Sequence, residues 1–367
     1  MANAETVRRA KILLDELSQT PRFAGSPEEA RARSKCREEL EGAGFSCRDL
    51  PFEYSQWPGR WGPPIAALIQ AATILVVGHM AVHAGPLWAL VVGAGLVSAL
   101  MLASADAKRR WTAVLPWQRA RSVNLEATRG NPAVWLVAHI DSKSQTVPML
   151  FRIASSVVLG AITAIALLII LFSLVDAGPP VYAWHALALA AVVGALPSMF
   201  CFVRNESRGA LDNASGVAAV LIASQAATAP RDLGVLITSG EELGLAGARA
   251  WAAEANPGMV VVNCDTVDDA GGWRCMYSGV KPARIARAAE TIALGPGLKL
   301  AIGRLIPGIL ADSMAFADRG IESVTISRGN LSTLARIHTR RDNSHALGGS
   351  GVADGGALLS SLAKELA

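Results

Sequence analysis

Hydrophobic and polar positions divide the chain into stretches of distinct kinds. From Ala4 to about Leu50 the pattern is that of soluble helices, with Val7, Ile12, Leu13 and Leu17 on one face and a turn at Gly25-Ser26-Pro27. A second amphipathic helix, about Glu28 to Glu41, is predicted to stop at Gly42 and Gly44. Pro64 to about Ala84 is then uncharged and apolar, Gly85-Pro86 reads as a turn, and Leu87 to Ala105 is apolar again. Two stretches of that length joined so tightly predict a transmembrane hairpin over residues 64–105. A second hairpin is predicted within residues 150–203, from Ile153 to Val175 and Val181 to Val203, around the turn Asp-Ala-Gly-Pro-Pro.

The segments around these hairpins read differently. Asp106 to Asn131 is polar and includes Lys108, Arg109, Arg110, Arg119 and Arg121, whereas Ala133 to Ile140 reads as a buried strand. After Arg204, short apolar strands (Gly234 to Thr238, Met259 to Cys264, Ser323 to Ile326) alternate with helix-like segments. That alternation predicts a layered α/β domain built from residues 1–60, 106–149 and 204–367 and interrupted twice by membrane hairpins.

Composition agrees with this division. Of 367 residues, 51% are hydrophobic and 17% charged, and the apolar excess sits in the long runs. The net charge of +4 comes mainly from arginines flanking those runs, without the aromatic-interleaved basic stripe of a nucleic-acid binder, so nucleic acid is not an expected partner. Five scattered cysteines (Cys36, Cys47, Cys201, Cys264, Cys275) form no CxxC pair and read as free thiols in a reducing compartment. The hairpin tips hold one charge, Asp176, while the other segments hold all the Lys and Arg; Met1 to Lys11 carries charges where a signal peptide has its apolar core. An integral membrane protein of four spans is expected, with every soluble part cytoplasmic.

Candidate chemistry lies at the ends of the predicted strands. His139 is followed two residues later by Asp141, a spacing in which an imidazole binds metal while a carboxylate orients it. Asp212 stands in the polar turn Leu211-Asp212-Asn213-Ala214-Ser215-Gly216, where it could equally cap the next helix. Glu241 and Glu242 are adjacent carboxylates directly after a buried strand, an arrangement that is unfavourable without a cation or a shared proton. Asp265 ends another apolar strand, and His338 has Asp342 four residues on as its own orienting carboxylate. Singly each motif has an ordinary structural explanation. Together, two histidines and three carboxylates with one carboxylate to spare are the donor set of a two-metal hydrolytic site.

In these motifs the chain resembles the co-catalytic di-zinc exopeptidases of the aminopeptidase S and aminopeptidase Y type. The resemblance rests on Pro21-Arg22-Phe23-Ala24-Gly25-Ser26, VAHIDS, LDNASG, SGEELGLAGA, NCDTV, ADSMAF (Ala311 to Phe316) and HTRRD, in that order. It implies a three-layer α/β/α sandwich with a mixed central sheet, and two zinc ions as cofactors. Asp212 would bridge them, with His139 and Asp265 on one and Glu242 and His338 on the other. Glu241 would be the general base, Asp141 would orient His139, and Asp312 would be a substrate-site or outer-sphere residue. The implied reaction is hydrolysis of a peptide or related amide at the membrane surface; deacylation of N-acyl amino acids or lipid amides on the same site, and a catalytically inactive membrane scaffold, are the alternatives. His139 speaks against glutaminyl cyclisation, because cyclases of this family use one zinc and lack that histidine.

The chain departs from the family's usual pattern between His139 and Asp212, which are 73 residues apart because the second hairpin intervenes. From Val203 to Asp212 is nine residues, at most about 30 Å when extended, so the predicted metals are expected close to the bilayer. His79, His83 and His185 in the spans read as interfacial packing. Arg328, Arg336, Arg340 and Arg341 read as solvated or headgroup-facing, with a substrate carboxylate as the other reading.

Overall fold

A computed structural model describes residues 3–106, 110–176, 178–294, 299–306 and 308–367. Lys108 and Arg109, counted above towards orientation, lie outside the described residues, as do Met1 and Ala177 of the hairpin tip. The chain folds as two compact units. One comprises Met1–Gln56, Leu115–Ser144 and Arg204–Ala367; the other comprises Trp57–Val114 and Gln145–Val203.

The first unit is built on strands β1 (Ser46–Ser55), β2 (Arg119–Arg129) and β3 (Val134–His139), then β6 (Leu233–Thr238), β7 (Val260–Val267), β8 (Gly272–Tyr277), β9 (Leu300–Arg304) and β10 (Glu322–Gly329). Between β3 and β6 come two two-residue strands, β4 (Ser144–Gln145) and β5 (Val203–Arg204), which pair only with each other. The main sheet has eight strands in the order β1-β2-β6-β3-β7-β10-β8-β9. It is mixed: β6, β3, β7 and β10 run parallel side by side, while β2 meets β6 and β8 meets β10 in antiparallel fashion.

The central strands β3 and β6 are buried along their whole length, as strands covered on both faces must be. On one face Trp135, Val137, Leu236 and Val261 pack with Trp251 and Phe316 from the helices Ala246–Ala252 and Ser313–Ala317. On the other lie the helices Ala4–Leu17, Ser215–Gln225 and Ser350–Leu366. The result is an α/β/α sandwich.

Two strands appear where the sequence pattern suggested none. β1 and β2 pair antiparallel from Ser46↔Thr128 to Ser55↔Arg119. Both carry many charges, which pair across the ladder: Arg48 reaches Glu126 at 2.8 Å, and Arg121 reaches Glu53 at 2.7 Å. The long insertion 57–114 therefore leaves the sheet at Ser55 and returns to it directly opposite, at Arg119.

The second unit contains four helices, Trp57–His83, Pro86–Asp106, Met149–Ser173 and Val181–Met199, each holding an apolar window long enough to cross a membrane. The first starts seven residues before the expected boundary and takes Pro63 and Pro64 inside it, which removes two backbone donors near its start. Small residues (Ala67, Ala71, Ala166, Ala191, Ala195) let the helices approach around Ile74, Leu159, Ile162 and Trp184. Inside the bundle, Gln70 donates to Thr163 at 3.2 Å and Ser198 to Ser155 at 2.9 Å. Outward lie large apolar side chains such as Leu102, Val157, Phe172 and Leu189, an arrangement suited to lipid.

Candidate metal centre

Three parallel strands deliver the predicted chemistry to one crevice, at their carboxyl ends, where open α/β sheets place ligands. His139 is the last residue of β3. Thr238 ends β6, and the chain turns through Gly240 (φ 70°) into Glu241 and Glu242. Asp265 lies near the end of β7. From the end of β10 the chain passes through the helix Leu331–Arg336 to His338, whose φ of 60° lies in the left-handed region that few residues other than glycine occupy.

Asp212 comes from the turn Ala210–Ala214, which two glycines shape. A Cβ on Gly209 (φ 56°) would lie 2.4 Å from the Asp212 carbonyl oxygen, and one on Gly216 would lie 2.5 Å from the Cys264 carbonyl oxygen. Asn213 ties this turn to β7: its amide donates to the Cys264 carbonyl at 2.9 Å, and its oxygen accepts from Gly216 and Thr266 N–H at 3.0 and 3.1 Å.

The six groups converge. His139 Nε2 is 3.2 Å from Asp212 Oδ1, 3.6 Å from Asp265 Oδ1 and 4.0 Å from Glu241 Oε2. His338 Nε2 is 3.0 Å from Asp212 Oδ2 and 3.1 Å from Glu242 Oε2. Two clusters result, His139 with Asp212 and Asp265, and Asp212 with Glu242 and His338, each with ligand atoms within 4.8 Å of one another. Asp212 is shared and presents one oxygen to each.

The donor set fits zinc. Imidazole nitrogen and carboxylate oxygen in groups of three are the ligands of catalytic sites that leave a coordination position open. Nε2 of His139 is buried and has no hydrogen-bond partner, the orphaned nitrogen that a metal ligand keeps for its ion. The electrostatics fit equally. Burial pushes the Glu241 carboxyl well up, as do Glu242, Asp265 and Asp312, against the opposing pull of His139. For His139, burial disfavours the imidazolium, yet Glu241, Asp141, Asp212 and Asp265 outweigh it and raise the proton affinity. The crevice attracts positive charge.

Asp141, Asp342 and Asp312, expected to support the ligands, all lie around the two clusters, and their contacts show what each one holds. His139 Nδ1 faces the main-chain carbonyl oxygen of Asp141 at 3.1 Å, while the Asp141 carboxylate is 3.6 Å away and accepts the N–H groups of Glu241 and Glu242 at 3.2 and 3.3 Å. Asp141 thus aligns the His139 and Glu241-Glu242 loops with one another. Asp342, expected beside His338, accepts the N–H groups of Leu211 (2.6 Å) and Asp212 (3.2 Å) and holds the turn that presents Asp212. Asp312 is fully buried and accepts from the Thr238 hydroxyl; burial and the nearby Asp141 and Asp265 push its pKa up to about 7. Of the arginines, Arg336 pairs with Asp268, Arg328 with Asp354 (3.7 Å) and Arg340 with Glu206 (3.0 Å), and Arg341 is exposed. The rings of His79 and His83 lie against each other, centroids 4.4 Å apart and planes tilted by 44°.

Three further residues in the centre went unnoticed in the sequence. Arg22 is 1% exposed, and its guanidinium donates to the carbonyl oxygens of Ile140 (2.8 Å), Arg208 (2.6 Å) and Gly209 (2.9 Å), clamping the loop after His139 to the loop before Asp212. Glu29 accepts from Gly25 N–H (2.6 Å) and from the hydroxyls of Ser122 (3.1 Å) and Ser239, two residues before Glu241. Lys143 reaches Glu242. Arg22 belongs to the PRFAGS motif and Lys143 follows VAHIDS directly, but their partners lie about 100 residues or more away in the chain.

Comparison with known proteins gives a consistent result. The family model described as Peptidase family M28 matches residues 122–362. No curated protein matches significantly. Among solved structures, an aminopeptidase from Aneurinibacillus sp. strain AM-1 is similar at a TM-score of 0.55 and 13% identity, covering 97% of this chain and 92% of that one. The zinc aminopeptidase BSAP from Bacillus subtilis gives 0.55 and 13%, over 97% and 94%. A glutaminyl cyclase from Bacteroides thetaiotaomicron, bound to N-acetylhistamine, gives 0.55 and 12%, over 99% of both chains. At such identities the likeness is one of fold.

Burial, reinforced by Asp141, pushes the Glu29 carboxyl from 4.5 up to about 7. A carboxyl that binds its proton more tightly in the folded state contributes stability that is full below the unfolded value and is lost as pH rises through the folded one. Between about pH 4.5 and 7 the protein should therefore lose stability through Glu29. Glu29→Gln should flatten that slope by roughly 3 kcal/mol over the window. Denaturant midpoints measured across it decide the matter, and parallel profiles for variant and parent would contradict the assignment.

Proposed function

The chain belongs to peptidase family M28, and from that premise we propose that it is a two-zinc hydrolase of N-terminal aminoacyl peptide bonds or related amides presented at a membrane surface. The observation that carries this reading is the pair of ligand clusters sharing Asp212, with Glu241 beside them. When bound there, zinc supplies Lewis acidity that polarises an amide carbonyl and acidifies water.

The protein's own groups do the rest. His139 and Asp265 would hold one ion and His338 and Glu242 the other, with Asp212 shared between them. Glu241 is 6% exposed, next to the ligands without belonging to either cluster. As water attacks the carbonyl carbon, the Glu241 carboxylate takes one of its protons; as the carbon–nitrogen bond breaks, the same proton goes to the departing amine, leaving a carboxylic acid and an amine, between which the remaining proton then equilibrates. Asp141, which accepts the Glu241 and Glu242 N–H groups, keeps the base and a ligand in register.

The four long apolar helices, with mean hydropathy from 1.5 to 2.6, support membrane insertion, and the gathering of Lys and Arg outside the hairpin tips supports a cytoplasmic hydrolytic unit. The nine-residue connection from Val203 to Asp212 supports substrates that are themselves at the bilayer surface.

Glu241→Gln keeps shape and removes the base. It should lower kcat by at least about two orders of magnitude while the zinc content stays unchanged. Hydrolysis of aminoacyl and N-acyl amide substrates, assayed alongside metal analysis, tests this; activity that survives the change would remove Glu241 from its role.

A further inference from the structure

Lys143 stands four residues after His139, in the turn that follows β3. Its Nζ lies 2.7 Å from Glu242 Oε2 and donates to the Glu242 carbonyl oxygen at 2.9 Å. Its backbone N–H approaches Oε1 of the same carboxylate at 3.3 Å. One residue therefore engages both carboxylate oxygens and the carbonyl of a predicted ligand. Oε2 is also the atom that faces His338 Nε2 at 3.1 Å, so the ammonium and any cation in that cluster share one oxygen. With 13% of its side chain exposed, Lys143 is little screened by water. Its backbone is pinned on both sides: Ser142 N–H donates to the Arg22 carbonyl at 2.9 Å, and the Ser144 hydroxyl accepts Glu206 N–H at 2.9 Å.

The other cluster has the opposite surroundings. His139, Asp212 and Asp265 have the carboxylate of Glu241 4.0 Å from the imidazole, and Asp312 is buried nearby. Negative charge there favours a cation, whereas at Glu242 a fixed positive charge opposes one.

We propose, resting on the two-zinc reading above, that Lys143 makes the two metal positions unequal: the His139–Asp212–Asp265 position binds zinc tightly, and the Asp212–Glu242–His338 position binds it weakly because the Lys143 ammonium competes for the Glu242 carboxylate. Two cations sharing one carboxylate oxygen repel each other across a few ångströms in a poorly screened crevice. Occupancy of the second position, and with it the fully loaded centre, then follows the supply of free metal.

Zinc titration of the full-length, detergent-solubilised protein against a competing chromophoric chelator reads both affinities directly, without any activity measurement. The parent protein should bind two equivalents of clearly different affinity. Lys143→Leu, which keeps the bulk and removes the charge, should tighten the weaker one by about ten-fold or more and leave the tighter one unchanged; Lys143→Gln serves the same purpose should the leucine variant fold poorly, and Lys143→Arg should stay like the parent. Two equivalents that remain equal in the parent, or a weak one that both neutral variants leave where it was, would overturn the role of Lys143 and leave the two-zinc reading standing. A single equivalent that stays single in the neutral variants overturns it as well. No zinc bound by any of these proteins would instead bring down the two-zinc reading itself, and the inference with it.

Discussion

Four buried acidic side chains, Asp212, Glu241, Glu242 and Asp312, and the partly buried Asp265 share one crevice at the end of a sheet, where water screens them poorly. Left to themselves they would repel one another or take up protons, and burial with mutual repulsion does raise the proton affinity of Glu241, Asp265 and Asp312. Asp212 escapes this because His139 and His338 flank it and hold its carboxyl well below the ordinary range despite burial. The surrounding architecture keeps these groups together against their repulsion. Arg22 clamps two loops, Asp141 and Asp342 accept backbone N–H groups on either side of the centre, and Asn213 fastens the Asp212 turn to β7. Zinc, which the family implies, would offset the repulsion in such a charge arrangement, and the proposed base Glu241 would act in the same concentrated field.

The two helical insertions leave this architecture intact because each departs and returns through neighbouring points. The first opens between Ser55 and Arg119, which face each other at the end of the β1–β2 ladder. The second opens between β4 and β5, which pair with one another. An insertion whose ends are adjacent adds chain without separating the strands it interrupts. The sheet can therefore bring His139 and Asp212 together although a helical hairpin lies between them in the sequence.

The candidate ligands were legible because the polar residues that gather in the crevice follow continuous apolar strands. His139, the Glu241-Glu242 pair and Asp265 all lie at or just beyond the ends of such runs, and the apolar helices declare themselves by length alone. β1 and β2 were not legible, since their outward positions carry Arg48, Glu53, Arg121 and Glu126, whose charges make sense only once paired across the ladder. The supporting contacts were hidden for a related reason. Which atom of Asp141 meets His139, and that Asp342 serves the Asp212 turn, depend on loop geometry that residue spacing does not encode. Arg22, Glu29 and Lys143 are ordinary charged residues until the fold buries them against partners far away in the chain.

The claim on which all of this turns is that two cations occupy the crevice with Asp212 between them. Anomalous diffraction at the zinc edge from crystals grown with zinc measures it most directly. Two peaks should appear, one among His139, Asp212 and Asp265 and the other among Asp212, Glu242 and His338. Peaks elsewhere on the molecule with none in the crevice would contradict the account.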